Sequence, residues 1–279
     1  MNVRRAAVAG SWYPAQPERL AREVDEYVGV ADVDADVSAP LAIVAPHAGL
    51  RYSGPVAAYA YKAASAARRR TIVLVGPSHF ILFRGVSIWP AGAWETPFGP
   101  VPVDQELASA IAAEGGGIVE RPDAHGREHS LEMQLPFIAH LLSGVSIVPL
   151  VMGYQTPNAA FSLGDAIADA LTPRVATDGV DRDVLLVASS DLSHYEDAVT
   201  AARMDTVVLR HVDAFDPDGL MATLEREPRH ACGGGPIVAV LHAARRLAAQ
   251  HARVLHYADS GDVSGDKSAV VGYMAAAIW

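Results

Sequence analysis

The chain has 279 residues, 51% of them hydrophobic and 19% charged, a composition that can bury a large core and excludes a disordered or fibrous protein. A formal net charge of −10 repels phosphate backbones and anionic lipid surfaces, so no nucleic acid partner is expected. The longest apolar candidate, 268–279, falls short of the roughly 18 residues that span a bilayer, so no membrane insertion is expected either.

In chain order, Arg4-Arg5 precedes only the short stretch 6–10, too brief for a secretory apolar region. The single cysteine, Cys232, cannot form an internal disulfide, and together these features predict a cytoplasmic protein. Hydrophobic patterning predicts a helix over 18–28, a buried strand over 41–45, a helix over 56–67 and strands over 71–75 and 86–89. A helix over 105–114, a strand over 145–151, a helix over 159–171 and a strand over 184–188 follow. Helices over 198–213 and 236–250, the second opened by Pro236, precede a strand over 254–258. Residues 269–279 read as a last strand or buried segment, weakened by Gly272. The segments 122–127 and 172–182 read as loops, and Arg68-Arg69-Arg70 as a solvated helix end.

The strands are continuously apolar, which means covered faces, and they alternate with helices. That pattern predicts the α/β class: a single layered α/β/α domain over 1–279 around a central, mostly parallel or mixed sheet.

Three of these strands run into polar clusters at their carboxyl ends: 46–49 with His47, 76–79 with His79, and 189–195 with Asp191 and His194. That edge is where open α/β sheets bind ligands, and imidazole with carboxylate is a ligand set for iron, zinc or copper. Each histidine alone is equally well explained by capping a backbone carbonyl in a turn. Cys232 precedes three glycines and Pro236: a helix amino terminus would lower its pKa, while a small apolar residue beside a flexible loop fits as well. The segment 125–132 is rich in titratable groups, and on a helix ended by Pro136 His129 and Glu132 would share a face. They read as metal-supporting partners, a proton relay or a charged helix entrance. Glycines 115–117 lack a following Lys-Ser/Thr and make no phosphate loop.

Seven motifs in order carry a resemblance that covers nearly the whole chain: 9–14 (AGSWYP), 45–49 (APHAG) with 52–54 (YSG), 76–79 (GPSH), 96–97 (TP), 128–133 (EHSLEM), 189–194 (SSDLSH) and 232–233 (CG). Together they resemble the MEMO1 family, also called AmmeMemoRadiSam system protein B. The resemblance implies a fold similar to class III extradiol ring-cleavage dioxygenases. It further implies a metal site at His47, His79 and Cys232, with Asp191 and His194 beside the metal. One transition metal ion is implied, iron(II) or copper first and zinc next, along with a small-molecule or peptide ligand in the metal cleft and a functional link to a radical-SAM protein.

On this basis the chain is expected to be a mononuclear metal-dependent redox protein in which Asp191 is an additional or alternative ligand, His194 moves a proton and His129 is a second base. The alternative from a different class is a non-catalytic metal- or peptide-binding protein using the same cleft. A serine hydrolase built on Ser189 or Ser190, Asp191 and His194 ranks last, since no Gly-x-Ser-x-Gly elbow surrounds either serine.

Overall fold

The computed structural model describes residues 2–34, 36–37, 39–175 and 183–279. Strand β1 (Val3–Arg4) leads to α1 (Pro17–Val30), which opens on a proline and buries Leu20 and Val24 one turn apart. Next come β2 (Ala42–Ala45), α2 (Leu50–Ser65) and β3 (Thr71–Pro77), then the short strands β4 (Val86–Ile88), β5 (Ala93–Trp94) and β6 (Val101–Pro102). Helix α3 (Gln105–Ala113) is capped by the Asp104 carboxylate, which accepts from the Leu107 N–H at 2.9 Å. Strand β7 (Ile118–Glu120), α4 (Pro122–Gly126), a 3₁₀ turn at Glu132–Gln134 and α5 (Leu135–Leu141) lead to β8 (Ser146–Met152) and α6 (Pro157–Val175). The chain continues through β9 (Val184–Ser189), β10 (His194–Glu196), α7 (Ala198–Asp213) and α8 (Pro217–Arg226). A 3₁₀ turn at Pro228–His230, α9 (Gly234–Arg246), β11 (Ala252–Asp259), α10 (Gly261–Ser264) and β12 (Val270–Ile278) follow.

Among the described residues nine strands form one mixed sheet, ordered β10-β12-β2-β9-β3-β8-β4-β7 with β11 paired to β12. At its centre β2, β9, β3 and β8 run parallel, while β12 joins β2 and β4 joins β8 antiparallel. Strands β1, β5 and β6 form a separate small sheet. Successive residues of a strand point to opposite faces. In β3, Val73 and Val75 pack among α3, α6 and α9, whereas Ile72 and Leu74 pack among α1, α2 and α5. Helices therefore cover both faces, and the α/β/α class expected from the sequence is the one the chain adopts.

Several local expectations give way. Helix α2 starts at Leu50 rather than 56: Gly54-Pro55 reads as a breaker, yet the glycine lets α1 approach closely, because a Cβ there would lie 2.7 Å from Tyr27 Cε2. The segment 122–127 is largely the helix α4, started by Pro122, and Pro136 opens α5 instead of ending a helix. Residues 172–175 complete α6, and 176–182 lie outside the described residues. Arg69 is buried rather than solvated, donating to the carbonyls of Pro40 (2.7 Å) and Val184 (3.3 Å). Among the described residues no helix is long and apolar enough to cross a membrane.

Gly272, the weak point of the last strand, is required there. Its missing side chain admits the buried Asp205 carboxylate, which accepts from Ser193 N (2.9 Å) and Tyr257 Oη (2.8 Å) and so fixes the loop before His194. Gly272→Ala forces a methyl onto that carboxylate and should cost about 1–3 kcal/mol of stability. Urea denaturation checks this, and an unchanged midpoint would contradict it.

Candidate metal centre

The central strands β2, β9 and β3 are hydrogen-bonded neighbours, with Ala45 opposite Ser189 and Val75 opposite Ala188. Their carboxyl ends therefore deliver His47, Asp191 with His194, and His79 to one place on the sheet edge. Cys232 arrives from the turn before α9. Two groups, His47/His79/Cys232 and Asp191/His194/Cys232, each have their candidate ligand atoms within 4.8 Å of one another. A third such group, His79/Glu128/His129, adjoins them.

The hydrogen-bond network fixes which imidazole nitrogens are free. Ser189 Oγ donates its one hydrogen to the Ser130 carbonyl (2.6 Å) and accepts from Gln134 Nε2 (2.7 Å). His47 Nδ1, 2.9 Å from that hydroxyl, must then carry the proton, leaving the Nε2 lone pair directed toward Cys232 Sγ at 3.2 Å. Gln134 is itself held by the buried Tyr61 hydroxyl (2.9 Å) and donates to the Pro46 carbonyl (3.1 Å). His79 Nδ1 donates to Glu128 Oε1 at 2.8 Å, so Nε2 is the nitrogen left for an ion.

Electrostatics favour the neutral form of His47 and His129. Burial, then the neighbouring His79, holds His47 well below its ordinary pKa. The His129 ring stacks on His79 at 4.5 Å and lies 4.4 Å from Trp12; burial, then His47 and His79, bring its pKa down to about 4. Burial pushes Glu128 up, but its bonds with His79 and with backbone amides outweigh that and hold it at about 2. Burial raises Asp191, whose Oδ1 accepts from His47 N (2.7 Å) and Ala48 N (3.2 Å).

The Cys232 thiol is pushed well up by burial and then by Asp191, opposite to the direction a helix amino terminus alone would give. Cys232 stands two residues before α9 and receives the Asp191 N–H on sulfur at 3.3 Å. Gln155 clamps this turn, donating to the Cys232 carbonyl and accepting from Gly235 N, both at 2.7 Å.

The segment 125–132 divides. Glu128 and His129 face the cluster, whereas Glu132 turns away into a buried pair with Arg4 and accepts from Tyr13 Oη (2.8 Å) and Ala7 N (2.8 Å). The chain is not helical at His129, so the two residues do not share a face. Ser189 is occupied by His47 and Ser130, and Ser190 Oγ donates to the Asp191 carbonyl (2.7 Å); neither serine meets His194, which removes the hydrolase reading. Sequence alone places Glu128 in a titratable run and a family motif without a role, and gives no sign of Gln134 or Gln155. Only the acid was locally visible, inside a titratable cluster, since amide side chains carry no pattern of their own.

The donor set fits a transition metal. The His47 and His79 imidazoles each commit Nδ1 to a hydrogen bond, a thiol and a carboxylate stand beside them, and buried His194 Nε2 has no hydrogen-bond partner among the described residues. Metal–nitrogen and metal–sulfur bonds of about 2.0–2.3 Å fit donors at these separations. Fold and site thus define an α/β/α protein with a histidine–cysteine–carboxylate cluster at the ends of its central strands. A family model for Memo-like protein matches residues 4–277. MEMO1 family proteins of Thermotoga petrophila (38% identical, 99% of each chain) and Ignicoccus hospitalis (39%, 99% of this chain and 98% of that one) are similar throughout. So is one from Methanopyrus kandleri (37%, 98% and 97%). The chain belongs to the MEMO1 family.

Two expectations arise here. Glu128→Gln keeps the shape but weakens the anion that orients His79, and should reduce metal affinity about 10- to 100-fold in competition titrations with a chromogenic chelator; unchanged affinity would contradict it. His125, whose pKa falls to about 3 through burial and then Arg4, and His129, at about 4, bind protons in the unfolded chain below about pH 6.5 but not in the folded one. Stability of metal-free protein should therefore fall from about pH 6.5 to about pH 4, by up to about 1.4 kcal/mol per unit for each histidine. Denaturant titrations across that range check the sign; rising stability would contradict it.

Proposed function

We propose that this chain is a mononuclear, non-haem iron or copper redox protein in which His47, His79 and Cys232 hold the ion and Asp191 is a further ligand. The observation that carries this reading is a shared geometry: both imidazoles commit Nδ1 to a hydrogen bond, which leaves Nε2 for an ion, within one cluster that also contains Cys232. When bound, the ion would supply one-electron chemistry and Lewis acidity.

The chain's own residues do the rest. Cys232 gives up its proton on ligation, so affinity rises with pH. His194, whose buried Nε2 is unpartnered, receives or returns a proton from a ligand in the adjoining cavity of about 450 Å³, which it lines with Tyr195, Arg229 and Cys232. Tyr195 has φ +64, a left-handed conformation uncommon for a non-glycine residue, and stands 77% exposed at the rim with its ring against His194. His129 is neutral at pH 7 and is a second acceptor.

Metal analysis of anaerobically purified protein tests the reading: close to one iron or copper per chain is expected, and no bound metal with no affinity for either would overturn it. A non-catalytic metal- or peptide-holding role is favoured by the exposed aromatic residues Trp12, Phe80 and Tyr195. An oxygen-electrode screen of catechols with Fe(II)-loaded protein separates the two, because only the redox reading expects O2 uptake.

A further inference from the structure

Cys232 lines a second pocket, of about 340 Å³, whose lining does not include His194. Met221 and Leu224 are buried there, and Pro228, Tyr154 and Leu82 add apolar side chains to a lining that polar atoms share about equally. Leu82 is 73% and Tyr154 48% exposed, a large apolar outlay at the mouth of a pocket that reaches a candidate ligand. The described lining contains no charged side chain, and its polar side chains are largely committed. Gln155 uses both ends of its amide on the Cys232 turn, and Ser78 Oγ donates to the Ile81 carbonyl (2.7 Å). Gly234 keeps the adjoining wall tight: a Cβ there would lie 2.5 Å from Leu224 Cδ1. A hydrocarbon substituent entering this space has Met221, Leu224, Pro228, Tyr154 and Leu82 to pack against, and meets no charged side chain.

We propose that this pocket is the subsite for an aliphatic or aromatic substituent of the molecule that binds at the metal, so that the ligand class is amphiphilic: a chelating polar head with an apolar arm. The inference rests on the metal-centre reading for the head and on the pocket alone for the arm. For comparison, a cavity of about 150 Å³ accommodates benzene, so an arm of several carbons has room.

The test uses full-length protein and the 4-alkylcatechol series from catechol to 4-butylcatechol. With Fe(III)-loaded protein, affinity is read from the catecholate charge-transfer band. With metal-free protein carrying ¹³C-methyl methionine, occupancy of the arm site is read from the Met221 resonance, assigned with Met221→Leu. Affinity should rise at least about tenfold along the series, since each buried methylene is worth about fourfold. Met221→Trp, which fills the pocket, and Leu82→Glu, at an exposed position tolerant of exchange, should hold that gain within about threefold. 4-Butylcatechol, but not catechol, should shift the Met221 methyl signal. Binding without chain-length dependence would overturn the subsite and leave the metal reading standing. No charge-transfer band with a Met221 shift retained would overturn the metal reading and leave the subsite standing. Neither signal would overturn the subsite.

Discussion

Cys232→Ala and His47→Ala proteins, loaded with metal anaerobically and desalted, should bind iron or copper more than about 100-fold more weakly than the parent, because groups that only orient a ligand already account for about 10- to 100-fold. Cys232→Ala should leave the chain folded, because Cys232 is only partly buried and the Gln155 clamp acts on the backbone of its turn; buried His47→Ala is checked for folding by urea denaturation before its affinity is read. Cys232→Ser adds discrimination. It exchanges a soft sulfur for a hard oxygen, so Cu(I) affinity should fall further than Fe(II) affinity. Competition titrations measure both, and wild-type affinity in Cys232→Ala would remove sulfur from the site.

Arg4→Ala should destabilise the protein by about 3–5 kcal/mol, since it strands the fully buried Glu132 carboxylate without its cation. Arg4 also packs over the Trp94 ring at 4.5 Å and donates to the His125 carbonyl (3.1 Å) and the Glu128 carbonyl. Its loss should therefore loosen the segment that supplies Glu128 and His129, and weaken metal binding as well as folding. The double variant Arg4→Met/Glu132→Gln removes both charges together and should be less destabilised than Arg4→Ala. Urea denaturation distinguishes these outcomes, and additive losses would argue against a buried ion pair of this kind.

The sheet was legible because its strands are uninterrupted apolar runs bounded by turn residues, and every strand expected between residue 41 and residue 258 forms, with boundaries shifted by at most a few residues. What escaped was of two kinds. Short strands such as β5 and β6 take their identity from pairing with β1 and with each other, which no local pattern announces. Helix α8 opens with a cap, Asp216 accepting from Gly219 N (2.9 Å), but the glycine that permits that close approach reads as a loop. At the site, the strand-end histidines stand out because their neighbours are proline and glycine. The residues that orient their rings, Ser189 for His47 and Glu128 for His79, are distant in sequence or hidden in a charged run, and only the order β2-β9-β3 explains why a serine on one strand serves a histidine on the next.

That strand order also bears on how such an ion would leave. Three of its candidate holders follow directly on adjacent parallel strands whose backbones are zipped together, so their anchor points cannot separate without parting the middle of the molecule. Release would thus begin at the donor not rooted in those strands, Cys232 on the turn before α9, and exchange would proceed by a competing chelator entering from solvent and taking the ion donor by donor.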